Sequence, residues 1–130
     1  MPVFWAGCCP TVPDAIAIMK KENIFANIPA DLPAELFAEI LAAGSCRLER
    51  IVSRAHATPP GQWYDQEENE WVMLLQGSAA LRIAGEDELT VLHPGDYLFL
   101  PAHLQHRVEW TAAETETVWL ALHYSVGFGT

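Results

Sequence analysis

Basic residues are scarce in this chain: seven lysines and arginines stand against seventeen aspartates and glutamates, a formal charge of -10 over 130 residues. A surface so acidic repels phosphate backbones and anionic headgroups, which argues against nucleic acid and membranes as partners. Cysteine is equally sparse. Cys8, Cys9 and Cys46 form neither a CxxC pair nor an even disulfide framework, so they read as reduced thiols of a cytoplasmic protein. No run reaches the roughly 18 apolar residues of a membrane span. The apolar stretch from Met1 to Ile18 has no positive charge ahead of it and is broken by Pro2, Pro10 and Pro13, unlike a secretory signal. With Met19-Lys20-Lys21 behind it, residues 1–30 read as an extension or capping arm. A Gly-rich phosphate cradle, a P-loop, a nucleophile elbow and a basic-aromatic stripe are also missing, which leaves nucleotide chemistry without residues to perform it.

What is present is apolar and β-prone. Half of the residues are hydrophobic, enough for one core, and residues 31–130 form a single domain of suitable size. From Leu32 to Gly44, the apolar Leu36, Phe37, Ile40 and Leu41 recur at helical spacing, with Pro33 near the start and Gly44 at a capping position. That spacing predicts one short N-terminal helix. Thereafter β-branched and aromatic runs predict strands over Arg47 to Ser53, Gln62 to Gln66, Glu70 to Gln76, Ala79 to Ala84, Glu88 to Leu92, Asp96 to Leu100, His106 to Trp110 and Thr117 to Tyr124. The punctuation between them, such as Gly77-Ser78, Gly85-Glu86-Asp87 and Pro94-Gly95-Asp96, is too short for helical crossovers. The fold class expected is therefore all-β, an antiparallel sandwich or barrel.

Two segments carry a resemblance. In Glu70-Trp-Val-Met-Leu-Leu-Gln-Gly77, a glutamate precedes a turn glycine by six intervening residues. In Pro94-Gly95-Asp96-Tyr-Leu-Phe-Leu-Pro101-Ala-His103-Leu-Gln-His106, a glycine, five residues and a proline lead to a histidine five places later. These segments resemble the two motifs of the cupin superfamily, and the chain is similar to its small single-domain bacterial members. The resemblance implies a double-stranded β-helix, or jelly-roll barrel, with its chemistry inside. It also implies a metal site of three histidines and a glutamate, of which Glu70 and His106 are present. The positions of the other two histidines hold Tyr64 and Gln66, whose phenol and amide are weak ligands.

Strand alternation adds local expectations. His106, Val108 and Trp110 share one face of their strand, and that face is expected to point inward. If a hairpin between the last two strands centres on Ala113 and Glu114, His106 lies opposite His123 and Trp110 opposite Trp119. The candidate metal ligands are then Glu70, His106 and His123, for one divalent transition metal such as Zn, Fe, Ni or Mn. The candidate ligand pocket is Tyr64, Gln66, Trp110 and Trp119. His103 reads as a loop residue at the barrel mouth. Trp71, Met73 and Leu75 alternate with Val72, Leu74 and Gln76, so this strand is apolar on both faces, which predicts a homodimer.

Two readings stay open at this level. As a metal centre, the cluster offers carboxylate and imidazole with open positions for Lewis-acid chemistry, such as that of a dioxygenase or isomerase. As a metal-free pocket, it offers Glu70 and His106 as an acid/base pair for an epimerase or lyase, or simply binds a small molecule without turnover.

Overall fold

Apolar side chains recurring every second residue must find a shared interior, and short turns require consecutive strands to find it by folding back on one another. The computed structural model describes residues 20–125, and among them all regular structure is β. The strands are β1 (Leu36–Ala43), β2 (Cys46–Ser53), β3 (Asn69–Gln76), β4 (Ala79–Ile83), β5 (Thr90–Leu92), β6 (Tyr97–Leu100), β7 (His106–Thr111) and β8 (Thr117–Tyr124). They form a five-stranded sheet, β1-β2-β8-β3-β6, and a three-stranded sheet, β5-β4-β7. Every pairing within them is antiparallel.

The core lies between the two sheets. Val72, Leu74, Leu100, Trp119 and Ala121 come from the larger one, and Ala79, Leu81 and Leu92 from the smaller, all buried in one cluster. Burial of each such leucine is worth about 1.5–3 kcal/mol, so the sheets are held face to face mainly by the hydrophobic effect. Gly77 makes the β3–β4 turn possible. It adopts a φ of +88°, and a Cβ built there would stand 2.8 Å from the Thr117 Cα and 2.9 Å from the Glu116 carbonyl.

The expected helix is absent, and β1 occupies its place. Leu36 to Ala43 pairs along β2, with Ile40 bulged between Glu39 and Leu41. Apolar side chains occupy both faces of β1, Phe37 opposite Ile51 and Leu36 and Leu41 opposite Val52 and Leu48 on the other face, and together their spacing imitates a helical period. Gly44 has a φ of +57° and opens the two-residue turn joining Ala43 to Cys46. A helix cap and a tight hairpin ask for the same left-handed backbone, so the glycine could not distinguish them.

Two further expectations are corrected. Gln62 to Gln66 is not a strand: within it Tyr64 alone forms a β-bridge, exchanging hydrogen bonds of 2.8 and 3.1 Å with His106. The assumed β7–β8 hairpin does not form either. β7 pairs with β4, and β8 lies in the other sheet between β2 and β3. The Met1 to Ile18 segment lies outside the described residues. From the adjoining stretch, the carbonyls of Ile24 and Ala26 accept hydrogen bonds from Arg50 and tie that stretch to β2.

Candidate functional site

Cross-strand register decides which side chains enter the interior. In the large sheet, His123 stands opposite both Glu70 and Arg47, and Trp119 opposite Leu74 and Ile51. Partners directly across a ladder share a face, so Glu70, His123 and Trp119 all project toward the smaller sheet. From that sheet β7 presents His106 and Val108. The result is a cavity of about 80 Å³ whose walls include Glu35, Glu49, Tyr64, Gln66, Glu70, His106, Trp119 and His123. The structure thus brings together six of the seven expected site residues: Tyr64, Gln66, Glu70, His106, Trp119 and His123. The two histidines reach it from opposite sheets and not across a hairpin.

Trp110 is the exception. Its side chain is 41% exposed and does not line the cavity. Between Ala80 and Leu81 of β4 the register skips Glu109 of β7, so that Leu81 faces Val108 and Ala80 faces Trp110. One extra residue reverses the facing of everything beyond it, and Trp110 turns outward where simple alternation points it in.

His106 is held in a defined way. Its Nδ1 lies 2.9 Å from the Leu104 carbonyl, which can only accept, so Nδ1 carries the proton. In the neutral ring Nε2 is then a bare lone pair, 3.9 Å from Glu70 Oε1, with both side chains at most 10% exposed. The Tyr64 ring stacks on the imidazole, centroids 5.6 Å apart. The loop that carries Tyr64 is fastened by Arg107, which donates to the carbonyls of Thr58, Pro59 and Gln62. At the mouth, His103 has a φ of +65° and Nδ1 2.9 Å from Asp65, while its N–H donates to the Gln66 carbonyl. Hydrogen bonds from His103 and Gln105 hold the Asp65 carboxyl below its usual range.

Opposite His106, His123 has its Nε2 2.9 Å from Glu49 Oε1. A carboxylate there accepts the Nε2 proton, which leaves Nδ1 as a second bare acceptor in the neutral ring. Among the described residues, two buried side-chain atoms lack a hydrogen-bond partner, and they are this Nδ1 and Trp119 Nε1. Both residues line the cavity, so a ligand there could satisfy a donor and an acceptor at once.

Burial pushes the Glu70 carboxyl above its ordinary range, against the opposing pull of His123 and His106; Glu49 adds to the rise and Arg47 opposes it. Burial, helped by Glu35 and Glu70, also raises the Tyr64 phenol. As placed, the donors do not make a metal centre. No group of three His, Cys, Asp or Glu side chains among the described residues is placed to hold one ion, and His123 is turned to Glu49.

Glu49 and Glu35 escaped the sequence reading. Glu49 sits two residues after Arg47 in a strand whose charges look like a solvated face. Glu35 precedes a segment that resembled a helix, and its Oε2 accepts a 2.6 Å bond from Ser53. The one available signal was the alternation of Arg47, Glu49 and Ile51, which puts Glu49 on the face of the apolar Ile51.

Comparison with known proteins bears on this geometry. A family model described as a cupin domain matches residues 54–123. A crystal structure from Ralstonia eutropha JMP134, provisionally named a mannose-6-phosphate isomerase, is similar at 44% identity and a TM-score of 0.80, over 82% of this chain and 99% of that one. A cupin superfamily protein from Desulfitobacterium hafniense DCB-2 shares the fold at 17% identity and a TM-score of 0.61, over 75% of this chain and 84% of that one. A Thermus thermophilus protein does so at 16% and 0.66, over 82% of this chain and 98% of that one. No curated protein matches the chain.

The raised Glu70 carboxyl has a stability consequence. The folded protein holds that proton more tightly than the unfolded chain, so stability falls as pH rises through the interval between the two, and the penalty is complete above the folded value. Glu70→Gln removes the charge and keeps the shape. In thermal melts it is expected to exceed the parent at mildly alkaline pH, with the gain shrinking as pH drops through the Glu70 titration. A gain independent of pH would contradict the assignment.

Proposed function

The chain belongs to the cupin family, and from that premise we propose that its interior binds a small molecule and moves a proton on it with Glu70 and His106. The observation that carries this reading is the buried pair itself: a carboxyl raised by burial, 3.9 Å from an imidazole nitrogen left bare by its Leu104 anchor. A carboxyl whose proton is held more tightly because of burial can serve as a general acid, and a bare Nε2 can take a proton, the complementary roles of acid and base. Isomerisation of an aldose to a ketose relocates a proton between adjacent carbons, so the provisional name of the Ralstonia structure is compatible with the same chemistry.

A second reading, one divalent transition metal such as Zn, Fe, Ni or Mn, is favoured by one observation. Metal-binding histidines commonly anchor their other nitrogen on a carbonyl, as His106 does on Leu104. His123 would have to leave Glu49 to join Glu70 and His106 as a ligand.

One experiment separates the two. A thermal-shift panel of sugars, aromatic acids and keto acids identifies a ligand, and its carbon-bound protons are followed for exchange with solvent deuterium. Glu70→Gln and His106→Ala are each expected to slow exchange by about 100-fold or more. Exchange unchanged in both variants overturns the acid/base assignment. Stoichiometric metal in the purified parent, lost in both variants, establishes the second reading instead.

We further propose a homodimer formed through the outer face of β3 and β6. Its support is an exposed aromatic patch: Trp71 packs on Tyr97 at 5.6 Å and Phe99 on Tyr124 at 6.4 Å, with Tyr97 64% and Phe99 53% exposed. Sedimentation should give twice the 14.4 kDa chain mass for the parent and the single-chain mass for Tyr97→Glu combined with Phe99→Glu. A monomeric parent refutes it. The acidity that argues against nucleic acid and membrane partners applies to the folded chain as well, and no helix among the described residues is long and apolar enough to cross a membrane. We also place the protein in the cytoplasm, from its cysteine pattern and from a Met1 to Ile18 stretch unlike a secretory signal.

A further inference from the structure

The walls of the cavity are unbalanced in both charge and hydrogen bonding. Three carboxyl side chains line it, Glu35, Glu49 and Glu70, and no lysine or arginine does. All seven basic residues of the chain lie within residues 20–125, so each can be placed. Arg47 comes nearest, but its guanidinium is committed to Glu49 at 3.1 Å and Glu68 at 3.0 Å. Arg50 is engaged by the carbonyls of Ile24 and Ala26, Arg54 by Glu116, Arg82 by Glu109, and Arg107 by Glu109 and the loop carbonyls. Lys20 and Lys21 are exposed.

The lone pairs follow the charges. With Nδ1 of His106 bound to Leu104 and Nε2 of His123 bound to Glu49, each neutral ring keeps one nitrogen as a bare acceptor, that of His106 standing 3.9 Å from Glu70. His123, 4% exposed, has that Nδ1 unpartnered, and Trp119 Nε1 is the unpartnered donor in the same wall. A phosphate or carboxylate group brings only acceptors and negative charge to such a wall, and leaves the buried acceptors unmet. An ammonium brings three donors and the opposite charge. The Phe37, Tyr64 and Trp119 rings in the same wall add attraction of the cation to their faces.

We infer that the pocket takes a small organic ammonium that also carries a hydroxyl, and that it excludes phosphorylated and carboxylate ligands, mannose 6-phosphate among them. This rests on the interior being the ligand site, as proposed above. The ammonium lies among Glu35, Glu49 and the bare His123 nitrogen, and the hydroxyl oxygen accepts from the Trp119 indole.

A matched series tests it at a size suited to the cavity: 1-amino-2-propanol, 1,2-propanediol and lactate share a carbon skeleton and differ in charge. Mannose and mannose 6-phosphate extend the comparison. Titrations of the full chain are followed by NMR at the indole N–H of Trp119 and by thermal shift. The amine is expected to bind at least tenfold more tightly than the diol and to move the Trp119 signal, with lactate and mannose 6-phosphate not binding. Glu35→Gln and Glu49→Gln should each reduce the preference for amine over diol several-fold; if one fails to fold, the other decides. Tighter binding of lactate than diol, or of mannose 6-phosphate than mannose, overturns the inference and leaves the proton-transfer reading standing, as does equal binding of amine and diol. Failure of every probe here and in the wider panel removes the ligand site itself, and the inference with it.

Discussion

A carboxyl and an imidazole sealed between two sheets, 3.9 Å apart, set the conditions for everything else in this interior. Taking Glu70 out of water costs several kcal/mol if it stays charged and unpaired, and the barrel does not offset that cost with an arginine. Histidines from both sheets stand near it instead, each tethered through one nitrogen. The tethers matter as much as the proximity. They fix which ring nitrogen carries the proton, and so determine that the cavity presents lone pairs.

That constraint explains the layout of the rest. The Arg107 clamp holds the loop that lays Tyr64 over His106, and the His103–Asp65 contact closes the same loop from the far side. β1 and β2, with the residue just before β1, add Glu35, Phe37 and Glu49, which make the wall acidic and aromatic. The hydrophobic cluster around Leu74 and Trp119 holds the sheets at a fixed separation, so that groups from opposite sheets meet with little freedom to rearrange. Positioning of this kind is what proton transfer requires, since geometry precedes pKa in deciding whether a base is effective.

Most of this architecture was legible in the residues. Seven strands were placed within two residues of their observed ends, because period-two alternation and Gly/Pro punctuation report directly on pleat and turn. Glu70, His106 and Tyr64 were legible from motif spacing, and His123 and Trp119 from alternation. What escaped detection involved shifts of register or of pairing partner. Apolar side chains on both faces of a bulged β1 disguised it as a helix, and the bulge at Glu109 turned Trp110 outward. His123 was placed inside through a hairpin that does not exist, because the inward face of β8 is the same whichever strand it pairs with. Glu49 was hidden for a different reason: a charge in an amphipathic strand reads as solvated until the sheet that covers it is known.

Imidazole nitrogen NMR of the parent protein addresses the tethered histidines directly, since the shifts distinguish protonated from bare ring nitrogens. At a pH where the rings are neutral, His106 is predicted to be protonated at Nδ1 and His123 at Nε2, each with a single tautomer. Protonation of His106 at Nε2, or an average of both tautomers at either histidine, would contradict the account.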